Sequence, residues 1–367
     1  MVSKISEEPE YNLSEVQRTG SEPESVSLAS ATEWTGFVSN LSQPVFYYRP
    51  GWGKLLNDLF GHTAYCLCTR ESFKGESIVT GILPMVHIKS LMFGSMLISL
   101  PFCNWGGALT NKAAYAEKLL KGARQLASRM GVKNLQIRSD RLINCGLAAK
   151  THKVRMVLEL PDSRAGFQAS LPAKVRSQAR RPLREGAIFR CGSVELVEQF
   201  YTVFSRNMRD LGTPVLPKDL FRELVKRFAS EIRIVLVEKS SKAVAAGLLI
   251  RNGERMEIPW AASLREANRF GVNMLLYSEA IAYSIEHGCK KFDFGRSTKD
   301  SGTYKFKKQW GAEPEQLYWY EWVGDKASAG PGLSPDNPRY GLAIRTWQKL
   351  PVWLANTLGP HVASKLP

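Results

Sequence analysis

Apolar and polar residues fall into two rhythms along the chain, and the order of those rhythms repeats. Trp52, Leu55, Leu56, Leu59 and Phe60 recur at helical spacing, which predicts an amphipathic helix over 51–60. Strands are predicted over 63–69 and 78–89, with a polar turn at 71–76 between them. Gly81 and Pro84 mark a bulge or an edge position in the second strand. A third apolar segment, 91–100, leads into PFCNWGG. A helix over 113–130, stopped by Gly131, and a strand at 133–138 follow, with a further strand at 152–160. The second half predicts helices at 194–211 and 219–228. Strands then come at 232–239, 244–251 and 255–260, with a turn at Asn252-Gly253. A long helix over 268–287, closed by Gly288, precedes a strand at 292–295. Strand, strand, strand, helix, strand thus occurs twice, without evident sequence identity. The reading is α/β with mixed sheets in two tandem domains, 32–165 and 166–323.

The flanks differ in pattern. Residues 1–31 carry six Glu and few large apolar side chains, the signature of a disordered acidic tail. A Gly/Pro/Ser linker at 324–338 leads to a helix-like end, 340–358, with Trp347, Leu350, Trp353 and Leu354 beside Arg345 and Lys349. That end reads either as an interfacial membrane-contact helix or as a segment docked on the first domain, and the docked reading is preferred.

Charge sharpens the picture. The chain has 367 residues and a formal net charge of +16, which calls for an anionic partner: nucleic acid, a phosphorylated substrate or acidic lipid. The six cysteines lack zinc spacing and read as buried free thiols, with Cys66 and Cys68 on one strand face. No bound metal is expected. The first residues show no apolar leader, and no run is apolar enough to span a bilayer, so a cytoplasmic protein, at most peripheral to a membrane, is expected.

Two stretches concentrate candidate chemistry. In Lys291 to Trp310, Phe292 and Phe294 alternate up to Gly295, a polar loop 296–302 follows, and an aromatic-basic block runs from Tyr304 to Lys308. A strand that ends in Asp, Arg and Ser and opens into a cationic loop is a common location for a site in α/β proteins. In Ser163 to Gly192, seven basic residues meet one Glu, and Arg176, Arg180 and Arg184 lie four apart. Like charges at that spacing repel until an anion joins them. Pro182 is expected to kink or restart that helix. Arg206 to Pro217 is a candidate wall of a cleft. His87 and His287 read as structural.

FDFGRS with GTYKFKKQWG, ILPMVHIKSLMFGSMLISLPF, KVRSQARRPLREG, NMRDLGTPV and DNPRYGLAIRTWQKLPVWLANTLGP together resemble the FemAB-like proteins of exosortase/PEP-CTERM systems. The resemblance spans about residues 33–360. It implies two tandem Gcn5-related N-acetyltransferase-like domains and the activity of the wider Fem group: transfer of an aminoacyl group from aminoacyl-tRNA to an amine of a cell-envelope precursor. It implies that Lys307 lies near the reacting centre, with Asp293 and Arg296 at the strand end. Lys174, Arg176, Arg180 and Arg184 match a basic helix that holds substrate phosphate. Trp260, Asn273 and Tyr304 complete the candidate substrate-binding set.

In the mechanism this suggests, Lys307 and Arg296 stabilise a tetrahedral oxyanion, and Asp293 orients the attacking amine or takes its proton. The donor is an aminoacyl-tRNA or an acyl-CoA. The loop before the 268–287 helix holds one glycine, Gly271, where acetyl-CoA-dependent enzymes usually have two or three. Acetyl-CoA-dependent N-acetylation and a non-catalytic basic protein for RNA or anionic lipid stay open beside aminoacyl transfer.

Overall fold

The computed structural model describes residues 26–43, 45–90, 94–324 and 341–366. The expected acidic tail, apart from its last residues, and nearly all of the 324–338 linker lie outside the described residues. The first repeat begins with β1 (Val26–Leu28), α1 (Ala31–Ser39) and α2 (Pro50–Phe60). It continues with β2 (Thr63–Phe73), β3 (Glu76–Ser90), β4 (Gly94–Ile98), α3 (Ala113–Arg129), β5 (Asn134–Ser139) and β6 (Ala149–Lys150). Then come β7 (Lys153–Glu159), α4 (Arg164–Ser170) and α5 (Ala173–Arg184). The second repeat is β8 (Ile188–Gly192), α6 (Val197–Leu211), α7 (Lys218–Arg227), β9 (Ile232–Lys239), β10 (Lys242–Asn252), β11 (Arg255–Ser263), α8 (Val272–Glu286) and β12 (Lys291–Thr298). The chain closes with α9 (Gly302–Lys308), β13 (Glu313–Gln316), β14 (Tyr318–Val323), α10 (Gly341–Gln348) and α11 (Val352–Ala363).

The described strands form two seven-stranded sheets of the same design, β1-β2-β3-β4-β5-β14-β6 and β8-β9-β10-β11-β12-β7-β13. In both, one central pair is parallel, β4 with β5 and β11 with β12, and its neighbours are antiparallel. The mixed α/β architecture with a repeated unit is therefore as the sequence pattern predicts. The boundary is more involved than a cut near residue 165. Strand β7, early in the chain, pairs with β12 of the second sheet, and β14, late in the chain, pairs with β5 of the first. β7 lies directly before the second repeat and joins its sheet, whereas β14 reaches back past the whole second repeat to complete the first.

Local chemistry explains several differences from the predicted elements. The expected turn at 71–76 tightens to Lys74-Gly75, both at positive φ, so β2 and β3 run further than their apolar pattern. The predicted bulge lies at Thr80, where the β2–β3 register shifts between Thr69–Gly81 and Arg70–Val79. Pro182 neither breaks nor restarts α5; the helix runs through it. Residues 296–298 continue β12 instead of starting a loop, and the aromatic-basic block is α9, whose N-cap Ser301 accepts the Tyr304 N–H.

The C-terminal helices settle chiefly on the second repeat. Both α10 and α11 rest against α6. Gly359 approaches Val215 so closely that a Cβ there would lie 2.9 Å from the Val215 nitrogen. The stretch expected to wall a cleft, 206–217, is instead the seat of this tail: Arg209 donates to the Leu350 carbonyl at 2.8 Å. The last residues also touch the first repeat: His62 Nε2 lies 2.7 Å from the Ser364 carbonyl, and Lys365 Nζ lies 3.5 Å from the Phe60 carbonyl. Five cysteines are buried and Cys191 is exposed, all with free thiols.

Candidate active site

The parallel ladder between β11 and β12 is short. It pairs Arg255, Met256 and Glu257 with Lys291, Phe292 and Asp293, and then the strands part. Past that point the backbone groups facing the gap need other partners. Asn104, from the PFCNWGG loop of the first repeat, bridges the two arms. Its amide nitrogen donates to Glu257 Oε1 on one arm, and its oxygen accepts the Arg296 N–H at 3.3 Å on the other. Gly295 permits this approach: its φ is +74°, and a Cβ would stand 3.0 Å from the Asn104 amide nitrogen.

Charged side chains gather at the fork. Asp293 is fully buried, accepts the Gly295 N–H at 2.8 Å, and sits 3.6 Å from Arg155 Nε and 3.4 Å from Arg255 Nη1. Arg155 arrives on the exchanged strand β7, packs over Trp105 and also pairs with Glu315. Both Asp293 oxygens are thus engaged within the protein. That commitment suits a structural anchor. Glu257, its buried neighbour, is different. Burial first and then the Asp293 charge push its pKa up to about 7.

Lys307 closes the cluster from α9. Its ammonium donates to the Gly295 and Arg296 carbonyls, both at 3.0 Å, and the residue is 7% exposed. Burial pulls its pKa down to about 8, against the opposing pull of Asp293. Tyr277 stacks on Phe294 and meets Phe306 edge-on, which fixes α9 against β12. Arg296 leans on the Trp319 ring at 4.8 Å. So Lys307, Asp293 and Arg296 do converge, as their proximity in sequence suggests.

The predicted substrate-binding residues do not join them. On α5, Lys174, Arg180 and Arg184 are exposed and have no ion-pair partner among the described residues. Arg176 is tied to the Gln168 and Leu171 carbonyls, and with Arg164 and Arg180 it lines an open groove of about 620 Å³ against α4. Trp260 lies within β11, its ring edge-on to Phe221 at 5.4 Å in the core. Asn273 stands in the first turn of α8 with no side-chain hydrogen bond to any described group, and Tyr304 packs on the second-repeat core. Glu257, Asn104, Arg155 and Arg138 escaped the sequence reading. Only an unusual acid in an apolar strand, MEIPW, hinted at Glu257. His87 and His287 bond within their own neighbourhoods, to Ser95 and to the Tyr283 carbonyl. No described group of three or more His, Cys, Asp or Glu is placed to hold a metal.

The α8 N-terminus is covered. Pro182 lacks the N–H that would bond the Gln178 carbonyl, and that carbonyl lies 3.2 Å from where a Gly271 Cβ would be. Helix α5 therefore packs over the turn that leads into α8.

These features have known counterparts. Residues 170–308 match the family described as Acetyltransferase (GNAT) domain. The second repeat is thus a GNAT-like domain, and the first repeats its sheet design. FemX shares the fold at a TM-score of 0.60 and 14% identity, over 87% of this chain and 99% of FemX. The C-terminal domain of an Agrobacterium fabrum protein assigned as a lysylphosphatidylglycerol synthetase aligns at a TM-score of 0.53 and 14% identity, over 81% of this chain and 93% of that domain. No curated protein matches the sequence. In this GNAT-like frame the β11–β12 fork, with Lys307 and Glu257, belongs to the second domain, and Asn104 reaches it from the first.

Proposed function

We propose that the chain is an acyltransferase that moves an aminoacyl group from an ester donor to an amine of an anionic cell-envelope precursor. The observation that carries this reading is the pair of buried groups with pKa values moved toward neutrality, Glu257 and Lys307, at the fork of the second GNAT-like domain. The acceptor amine attacks the ester carbonyl carbon. The resulting oxyanion gains the Lys307 ammonium as its counter-charge. The proton lost by the amine passes to Glu257, directly or through one water, and the ester C–O bond breaks to release the donor hydroxyl, which recovers a proton.

The donor preference rests on packing. In acetyl-CoA-dependent relatives a helix N-terminus takes the cofactor pyrophosphate, and here the turn into α8 faces the Gln178 carbonyl. The names of the FemX and lysylphosphatidylglycerol synthetase structures point the same way, at the level of fold. Acetyl-CoA-dependent N-acetylation is the second reading, favoured by the description of the matching domain. Purified protein incubated with labelled aminoacyl-tRNA, acetyl-CoA and envelope precursors separates them. Label arriving from aminoacyl-tRNA supports the first reading and label from acetyl-CoA the second; no transfer from any donor rejects both.

A further inference from the structure

Arg138 and Arg296 come from different domains and meet at one ring. Arg138, on β5, is the register partner of Trp319 on the exchanged strand β14. Its guanidinium carbon lies 4.8 Å from the Trp319 centroid, and Arg296 stands at the same distance from β12. Among the described residues, neither has a carboxylate partner. Arg138 donates to Gln136 Oε1 at 2.9 and 2.7 Å and to the Cys103 carbonyl at 3.3 Å. Among the described residues, Arg296 Nη1 is buried with no hydrogen-bond partner, and so is the Trp319 indole N–H. Burial holds Arg138 down at about 9, with Arg296 adding to the fall, and Arg296 itself at about 10. Lys307 is a third cation whose charge Arg296 also disfavours.

Three cations crowd one seam, while the nearby Asp293 is committed to Arg155 and Arg255. Buried like charges without a counter-ion are strongly unfavourable. An anion bound there would supply the missing partner and use the free guanidinium edge. Arg180 and Arg184 on α5, expected to grip phosphate, are exposed to solvent, so they gain less from one. Arg138 is buried, Arg296 is half-buried with its Nη1 unsatisfied, and the fold brings the two together.

We propose that the seam between the two domains binds an oxyanion, carboxylate or phosphate, held by Arg138 and Arg296 beside Trp319. Assigning that oxyanion to the acceptor rests on the acyl-transfer reading; the binding itself does not, and it is measured without turnover. Pyrophosphate, phosphate and acetate are titrated into the full chain by calorimetry at low salt. Saturable binding is expected, at least about tenfold weaker in Arg296→Gln and Arg138→Gln and unchanged in Arg124→Gln, an exposed cation on α3. Preference for the phosphates identifies a phosphorylated ligand, and preference for acetate a carboxylate. Equal affinity in wild type and Arg296→Gln, or loss in Arg180→Gln instead, overturns the proposal. Arg296→Met gives a second readout. Removing an unpaired buried charge should raise the melting temperature of the free protein, whereas loss of a packing residue would lower it and count against the site. A chain that binds the anion but transfers no label fails only the transfer reading; one that transfers label but binds no anion in the seam fails only this proposal.

Discussion

Glu257 and Asp293 are the last register pair of the parallel β11–β12 ladder, two buried carboxylates side by side where the strands part. Asp293 has two arginines and a backbone N–H; Glu257 has Asn104. Burial, and then the neighbouring Asp293 charge, favour a proton on Glu257 near neutral pH.

Stability should follow that proton. The Glu257 pKa rises from 4.5 to about 7 on folding. The folded state therefore binds its proton more tightly, and the resulting stabilisation is complete below pH 4.5 and lost as pH rises through 7. The loss is at most about 3 kcal/mol. Urea denaturation between pH 5 and 8 should show the wild type falling and Glu257→Gln falling much less. Parallel curves would remove Glu257 from this role.

Turnover should carry two limbs. The base Glu257 must be ionised, which gives a rise in kcat/KM near pH 7, and Lys307 must be protonated, which gives a fall near pH 8. Lys307→Met should lower kcat by roughly a hundredfold and abolish the upper limb. An unchanged profile in that variant would show that the ammonium only braces the Gly295 and Arg296 carbonyls.

Asn104 joins the first domain to both arms of the fork. Asn104→Ala leaves the Glu257 carboxylate and the Arg296 N–H without those bonds, with an expected loss of about 2–3 kcal/mol in chemical denaturation. Asn104→Asp should cost more, because it sets a third carboxylate beside Glu257. An alanine variant as stable as wild type would mean that water replaces the amide.

The C-terminal helices present another surface. Leu342 and Trp353 are 74% and 70% exposed, Arg345 and Lys349 accompany them, and 341–366 contains no acidic residue. No described helix is long and apolar enough to cross a membrane. Sedimentation with phosphatidylglycerol vesicles, but not with phosphatidylcholine, is the expected outcome, weakened by salt. Trp353→Ser combined with Arg345→Gln and Lys349→Gln should reduce it tenfold or more. Binding that ignores lipid charge would contradict this.

Much of the fold was legible because periodicity reports a face. The alternation of Phe292 and Phe294 marks β12, and the stripe Val197, Phe200, Tyr201 and Phe204 marks α6. Lys307 and Arg296 were legible as a site because one strand-loop-helix carries both. The Glu257–Asn104 contact was not, since 153 residues separate its partners and neither sits in a local pattern. Nor was the failure of α5 to join the fork. Its charges are regular in sequence, but the buried stripe Val175, Ala179 and Pro182 turns them outward. Strand exchange was equally hidden, because β7 and β14 would pair with either sheet on hydrophobicity alone.

That exchange has a consequence in time. The first sheet lacks β14 until residue 323 has been made, long after β5 at residues 134–139. At ordinary rates of synthesis the interval is roughly ten to forty seconds. During it, the backbone edge of β5 has no neighbour and is open to pairing with other chains. A ribosome stalled anywhere between the two strands would hold a first domain that cannot finish, and removing the last strands should unfold both domains together.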